Sequence, residues 1–433
     1  MKKVLFIGDF VCSTGFARVS ENVLRELYKT GEYEFDIVGR NYYGDPHDFP
    51  YKIYPTKKPP LYDDDNGVQR GLDMLMTAKY DILFMIQDLF IIQEMVPYIK
   101  QIQKVLKQKK LKVFKFVLYY PVDGWQPREW VTEVASLVDF PVTYTEYAKV
   151  ECQKYLPNFE PEVIYHGVNK KEFYPLEAEF NKKFRNEYFG GKADGKFLIT
   201  NVNRNWMRKD VPRTLEVFSK FKKLHPDSFL YLHMKNNDLF CDIMEVAKQF
   251  DLTIGEDYSM PTVDGNPNKY SELTGVPVQV LNAIYNTSDV IVSTSMGEGW
   301  GLSSTEAMAT KTPVIMPNHT SFPEICGDGR GQLAETKGWV CFGRDDWNRV
   351  RPMVDSDDIL KKIEYVYNNR SEAKKMADKA YEWVTTDLTW EKVCEKWKEV
   401  FLRASTEIPN IGRNDECPVC KIKYKKCIHG KNK

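Results

Sequence analysis

Unbroken apolar runs alternate, along most of the chain, with segments whose apolar positions recur every three or four residues. The run "KVLFIGD" is strand-like. After the small-residue loop "FVCSTG" comes "FARVSENVLRELYKTG", where Val19, Val23, Leu24 and Leu27 repeat at helical spacing and Gly31 ends the run. "FDIVGR", "YDILFMIQD", "FKFVLYYPVD", "FPVTYTE" and "EVIYHGV" are further buried-strand candidates. Strands that are apolar throughout, separated by helices, predict a parallel sheet covered on both faces.

A second series of the same kind starts at "KFLITNVNRN" and runs through "TLEVFSKFKKLHP", "SFLYLHM", "DVIVSTS", "SSTEAMAT" and "TPVIMP". Between the two series, Gly167 stands at a turn and Pro175 precedes a polar stretch. The pattern predicts two doubly wound α/β domains, 1–167 and 168–387. In "LTWEKVCEKWKEVFLRAS", Trp390, Val393, Trp397 and Phe401 share one helical face, giving a helix over 388–405. "TEIPNIGRND" then reads as a linker to a small cysteine-rich tail, 412–430.

With 433 residues, two sizeable domains are the default. Basic and acidic residues balance at 61 each, so no global field points to nucleic acid or a membrane surface. No apolar run reaches the roughly 18 residues of a membrane span, and "MKKVLFIGDF" reads as a strand, not a secretion signal. Of nine cysteines, an odd number, the first six lack framework spacing and the last three cluster in the tail, which points to a reduced, cytoplasmic setting.

The stretch "SMGEGWGLSSTEAMATKTPVI" carries the clearest chemistry. Glu298 falls in a glycine-rich turn after a strand, and Glu306 falls in the helix that follows, eight residues on. Open α/β sheets bind ligands at the carboxyl edge of their strands. Glycines at 297, 299 and 301 allow close backbone approach, and a helix start favours a phosphate. Two carboxylates beside a phosphate need hydrogen-bond donors of their own, and sugar hydroxyls are natural ones. A nucleotide-sugar, with phosphates between two sugars, would satisfy the arrangement. The plain alternative is an exposed loop and a capped helix.

"EGWGLSSTEAMATKTPVI" resembles the E-x7-E signature of family-four glycosyltransferases, which have the GT-B fold of two facing Rossmann-like domains. "VIYHGVNKKEFYP" resembles the interdomain segment of that family, "NVNRNWMRKD" its Arg-x-x-x-x-Lys element, and "RPMVDSDDILKKIEYVYNN" its late loop and helix. The resemblance covers about residues 1–405 and is looser in the first half. It implies a retaining transferase without an obligatory metal, with the acceptor on the N-terminal domain, the donor on the C-terminal one, and domain closure assembling the site. By it, Glu298 contacts the donor sugar and Glu306 the ribose, the turn residues Gly299, Trp300, Gly301 and Leu302 line the donor, and Arg204 and Lys209 neutralise the diphosphate. Taken singly, those two cations read as surface charges.

Where the family carries a glycine-rich first loop, only Gly15 remains, a donor-phosphate contact or a plain turn. Many relatives have a histidine near "PVDGW"; here Asp123 stands as an acceptor ligand or weak base, or as a turn-forming residue. His166 is a donor-site residue or a packing histidine. The tail resembles the SEC-C motif, with Cys417, Cys420, Cys427 and His429 as a closed structural zinc set and the usual spacings loosened by one residue. Its lysines allow contact with a protein or nucleic acid. The expectation is a glycosyltransferase using a UDP- or GDP-sugar and a hydroxyl acceptor: glycan, lipid-linked sugar, protein or modified nucleic acid. The tail favours a macromolecule, and membrane insertion is not expected. The alternatives are a GT-B epimerase or phosphorylase and a non-catalytic nucleotide-sugar-binding protein. A dinucleotide oxidoreductase is disfavoured, since neither half has G-x-G-x-x-G after a strand.

Overall fold

The computed structural model describes residues 1–262, 265–266 and 275–406. They divide into two compact units, one of Met1–His166 with the helix Trp390–Ser405, the other of Gly167–Thr389.

The first unit is built on a seven-stranded sheet. Its strands are β1 (Lys2–Asp9), β2 (Tyr33–Arg40), β3 (Lys52–Pro55), β4 (Ile82–Ile86), β5 (Lys115–Tyr120), β6 (Phe140–Thr143) and β7 (Glu162–Val163). Their order is β3-β2-β1-β4-β5-β6-β7, and every pair is parallel. β4 is buried along its whole length, and β1 and β5 nearly so. That is the burial the unbroken apolar runs require of strands with helices on both faces. Strand order reverses between β1 and β4, which opens a crevice site at their carboxyl ends.

The helix Trp390–Ser405 packs its apolar stripe on this unit. Trp397 is fully buried, its ring centroid 5.3 Å from Phe84 and 4.8 Å from Tyr119. Phe401 meets Tyr33 and Phe84 edge-on, at 5.3 and 5.2 Å, and Arg403 pairs with Glu162.

The second unit has a six-stranded parallel sheet, ordered β10-β9-β8-β11-β12-β13. These strands are β8 (Phe197–Val202), β9 (Ser228–His233), β10 (Tyr258–Ser259), β11 (Val290–Val292), β12 (Val314–Pro317) and β13 (Gln332–Ala334). Its two chain ends lie side by side, joined by a 2.6 Å hydrogen bond from Val168 N to Leu388 O and a bridge between Val168 and Thr389. The division therefore falls before Gly167 and after Thr389, one and two residues from the positions expected of the sequence.

One element departs from the sequence pattern. The "RPMV" stretch, expected as a loop, is a strand: β14 (Thr336–Cys341) and β15 (Val350–Val354) form an antiparallel hairpin. Its tip holds Trp347 and Asn348 at φ of +50° and +56°. Buried Asp346 anchors it to Arg349 and Arg351, at 2.6 Å for the Arg349 contact. One buried carboxylate thus pairs with two buried guanidiniums, which a polar stretch of sequence does not reveal. Among the described residues, no helix is long and apolar enough to cross a membrane.

Candidate functional site

Two loops at the carboxyl edge of the second sheet are stitched together. The first follows β8 and ends in the short turn Met207–Lys209 and the helix Val211–Leu224. The second follows β11 and leads through Ser293–Gly301 into the helix Leu302–Ala309. Met296 N donates to Arg208 O at 2.7 Å, and Thr294 Oγ1 reaches Lys209 O at 3.0 Å and Asp210 O at 2.9 Å. Arg208 Nη1 donates to Gly297 O at 2.6 Å.

Glu298 sits where these loops meet. It is buried, ion-paired with Lys209 through Oε1 and with Arg208 through Oε2 at 3.1 Å. Ser295 Oγ donates to Oε1 at 2.8 Å, and the Glu298 N–H donates to Thr320 Oγ1 at 3.0 Å. Burial pushes the carboxyl's pKa up. The charges of Arg208 and Lys209 and the hydrogen bonds from Lys209 and Ser295 outweigh it and bring the pKa to about 2. Glu298 is thus a carboxylate at any physiological pH.

Glu306 lies on the helix Leu302–Ala309, buried, and accepts a 2.9 Å hydrogen bond from Tyr285 Oη. Gly301 begins that helix at φ +103°, where a Cβ would come within 2.7 Å of the Phe322 ring. Ser304 Oγ and Ser304 N both donate to Gly301 O, which fixes the turn. Gly299 and Trp300 are buried beside Glu298, and Ser321 Oγ donates to Trp300 O at 2.6 Å, while Leu302 is partly exposed. The first turn of a helix leaves backbone N–H groups without intrahelical acceptors. Between the two glutamates the chain therefore presents donors suited to an anion, with Lys209 adjacent.

Arg204 stands apart from this cluster. Its Nε binds Asp238 Oδ2 at 2.8 Å, with about half the side chain exposed. Of the two cations named from the sequence, only Lys209 meets Glu298, and Arg208 supplies the second charge. Sequence reasoning missed Arg208, Ser295, Thr320 and Tyr285. Arg208 directly precedes Lys209, a signal that could have been read; the other three come together only through the fold.

The remaining candidates belong to the first unit. Gly15 is exposed at the start of the helix Gly15–Tyr28, whose cap is Thr14, 3.1 Å from Ala17 N. Thr14 Oγ1 also donates to buried Asp9 at 2.7 Å, a carboxylate at the end of β1 that the sequence did not single out. Asp123 is half-buried after β5, next to Gly124 at φ +151°. His166 is enclosed by Tyr119, Tyr144 and Trp390, and its Nδ1 shares a 2.8 Å hydrogen bond with Tyr119 Oη. Burial lowers its pKa to about 3, so the ring is neutral. His166 thus packs among aromatic rings of the first unit. Cys417, Cys420, Cys427 and His429 lie outside the described residues.

A polar cavity of about 820 Å³ opens at the opposite edge of the second sheet, lined among others by Arg185, Lys196, Asp289 and Arg370. Arg185 and Arg370 are both spent on Asp289, at 3.2 and 2.9 Å. None of Arg204, Arg208, Lys209, Glu298 and Glu306 lines that cavity.

The two parallel Rossmann-like sheets make a GT-B-like fold by their likeness to the solved structures named below. Residues 265–383 match the family of glycosyl transferases group 1. The chain is 28% identical over 208 residues to a trehalose synthase of Pyrococcus horikoshii, covering 47% of this chain and 43% of that one. It is 26% identical over 168 residues to the O-antigen chain mannosyltransferase RfbU of Salmonella typhimurium, covering 39% and 38%. These matches span less than half the length of those relatives. Among solved structures, sucrose-phosphate synthase from Thermosynechococcus elongatus superposes with a TM-score of 0.68 at 14% identity, over 94% of this chain and all of that one. Anabaena HepE, solved in complex with UDP and glucose, gives 0.67 at 12% identity, over 93% and 100%.

Proposed function

We propose that this chain is a retaining glycosyltransferase that moves a sugar from a UDP- or GDP-sugar to a hydroxyl acceptor. The carrying observation is the cluster of Lys209, Arg208 and Glu298 at the start of the helix that bears Glu306. The resemblances to a mannosyltransferase and to a structure solved with UDP support the reading.

In this proposal the diphosphate lies against Lys209 and the first turn of the helix Leu302–Ala309. Arg204 joins it by exchanging Asp238 for phosphate. Glu298 accepts hydrogen bonds from the donor sugar, and Glu306, held by Tyr285, accepts them from the ribose. As the glycosidic bond breaks, the leaving diphosphate gains charge. A fixed cation in a water-poor site stabilises that charge, and loss of Lys209 should cost about 2–4 kcal/mol of the barrier lowering. The leaving phosphate takes the acceptor proton on the same sugar face, so no protein nucleophile and no metal is assigned to the step. Asp123 is proposed as an acceptor ligand in the first unit. A cytoplasmic setting and a macromolecular acceptor complete the proposal, with the tail as a structural zinc knuckle whose metal content can be measured in the intact chain and in Cys417→Ser.

The test is release of nucleoside diphosphate from a panel of UDP- and GDP-sugars by the wild type, Glu298→Gln and Glu306→Gln. The proposal expects one donor to be hydrolysed selectively and both substitutions to abolish release. Donor binding without turnover, with any acceptor supplied, would favour a non-catalytic binding protein. Phosphate-dependent turnover would mark a phosphorylase.

A further inference from the structure

We propose that Arg208 is a positioning residue that retains Glu298 when a diphosphate draws Lys209 away. This rests on the donor-site reading above and adds to it a part for a residue outside the Arg204–Lys209 pair. At rest the site neutralises itself, because the Lys209 ammonium that should meet phosphate is already bonded to Glu298. A ligand must part them, and the carboxylate left behind is buried.

The geometry shows how the parting is tolerated. Lys209 and Ser295 hold one carboxylate oxygen of Glu298, and Arg208 holds the other. Lys209 can therefore leave without freeing the carboxylate, which keeps the Ser295 hydroxyl on Oε1 and a guanidinium on Oε2. Arg208 is itself immobilised from both ends. Its Nη1 donates to Gly297 O at 2.6 Å, and its backbone carbonyl accepts from Met296 N at 2.7 Å. A guanidinium stays charged at every working pH, and Nη1 of this one faces both the Gly297 carbonyl and the Glu298 carboxylate, with the planar group orienting its two hydrogens in a way that a freely rotating ammonium does not. Among the described residues, the charged groups that act most strongly on Glu298 are Arg208 and Lys209. Without Arg208, Lys209 is the counter-charge that remains, and its withdrawal strands a buried anion.

The experiment measures UDP and GDP binding by calorimetry for wild type, Arg208→Gln, Arg208→Lys and the double variant Arg208→Gln/Glu298→Gln. The expected result is a loss of about tenfold or more for Arg208→Gln. The double variant recovers most of that loss, because Lys209 is no longer held back, and Arg208→Lys falls between. Affinity of Arg208→Gln matching the wild type, or a double variant no tighter than the single one, would overturn the proposal. Acid titration of thermal stability, without nucleotide, provides a second readout. The clamp predicts that the decline linked to Glu298 sets in near the ordinary carboxyl pKa in every variant but is smaller and ends at higher pH in Arg208→Gln and Arg208→Lys than in wild type, and coincident profiles would refute it. Should wild type bind neither nucleotide, the donor reading fails, and the acid profiles still decide whether Arg208 holds Glu298.

Discussion

Gly301 carries two demands at once, and replacing it with alanine tests both. Its backbone lies at φ +103°, ψ +63°, off the left-handed region that non-glycine residues occasionally occupy. Holding an alanine there costs about 1–3 kcal/mol. The added Cβ would also stand 2.7 Å from Cε1 and 3.2 Å from Cζ of Phe322, a buried ring with little room to withdraw. Such overpacking adds about 1–3 kcal/mol. A single backbone shift can relieve part of both, so the sum is not simply additive, and about 3 kcal/mol is the expected loss. Urea unfolding followed by circular dichroism reads it as a lowered midpoint at unchanged slope. The same shift moves the start of the helix Leu302–Ala309, so nucleotide binding should weaken even where the variant remains folded. An unfolding free energy within about 0.5 kcal/mol of wild type, the scatter of ordinary surface substitutions, together with undiminished binding, would refute the reasoning.

The depressed carboxyl of Glu298 makes stability depend on acid. Its folded pKa of about 2 lies below the ordinary 4.5, so the stabilisation it provides is fully present above pH 4.5 and is lost as pH falls towards 2. That interval corresponds to about 3 kcal/mol, so the stability gap between wild type and Glu298→Gln should be widest near neutrality and shrink below pH 4.5; a gap unchanged from pH 6 to 3 would contradict it. Trp397→Ala empties a fully buried aromatic site against Phe84 and Tyr119 and should cost about 3–5 kcal/mol. Hydrogen exchange should show the loss in β4 and β5, and protection there equal to wild type would count against the packing account.

Much of the architecture is legible in the chain because its strands are buried on both faces. Runs such as "ILFMI" and "KFVLYY" have no polar alternation, and set between helical segments they point to a parallel sheet covered on both faces. Glu298 and Glu306 can be singled out for a different reason: one stands in the turn after β11 and the other in the helix that follows, so local order fixes their place at the sheet edge, whereas Lys209 is legible through the family resemblance. Arg208 escaped notice because a guanidinium beside Lys209 looks like surface charge until Gly297 and Glu298 fold over it. Tyr285 meets Glu306 from a separate helix, so no spacing in the sequence announces the pair. The hairpin of β14 and β15 was hidden for the converse reason. "FGRDDWNRVRP" reads as a polar loop, and the ion pairs of Asp346 with Arg349 and Arg351 are what make burial of those charges tolerable.

The central claim is that one nucleoside diphosphate lies between Glu298 and Glu306, and a crystal structure of the chain soaked with UDP and, separately, GDP tests it most directly. The account predicts diphosphate oxygens within hydrogen-bonding distance of Lys209 and of backbone N–H groups at the start of the helix Leu302–Ala309, with ribose hydroxyls on Glu306. Density for neither nucleotide at saturating concentration would contradict it, as would a nucleotide seated in the polar cavity of Arg185, Lys196 and Arg370 at the opposite edge of the sheet.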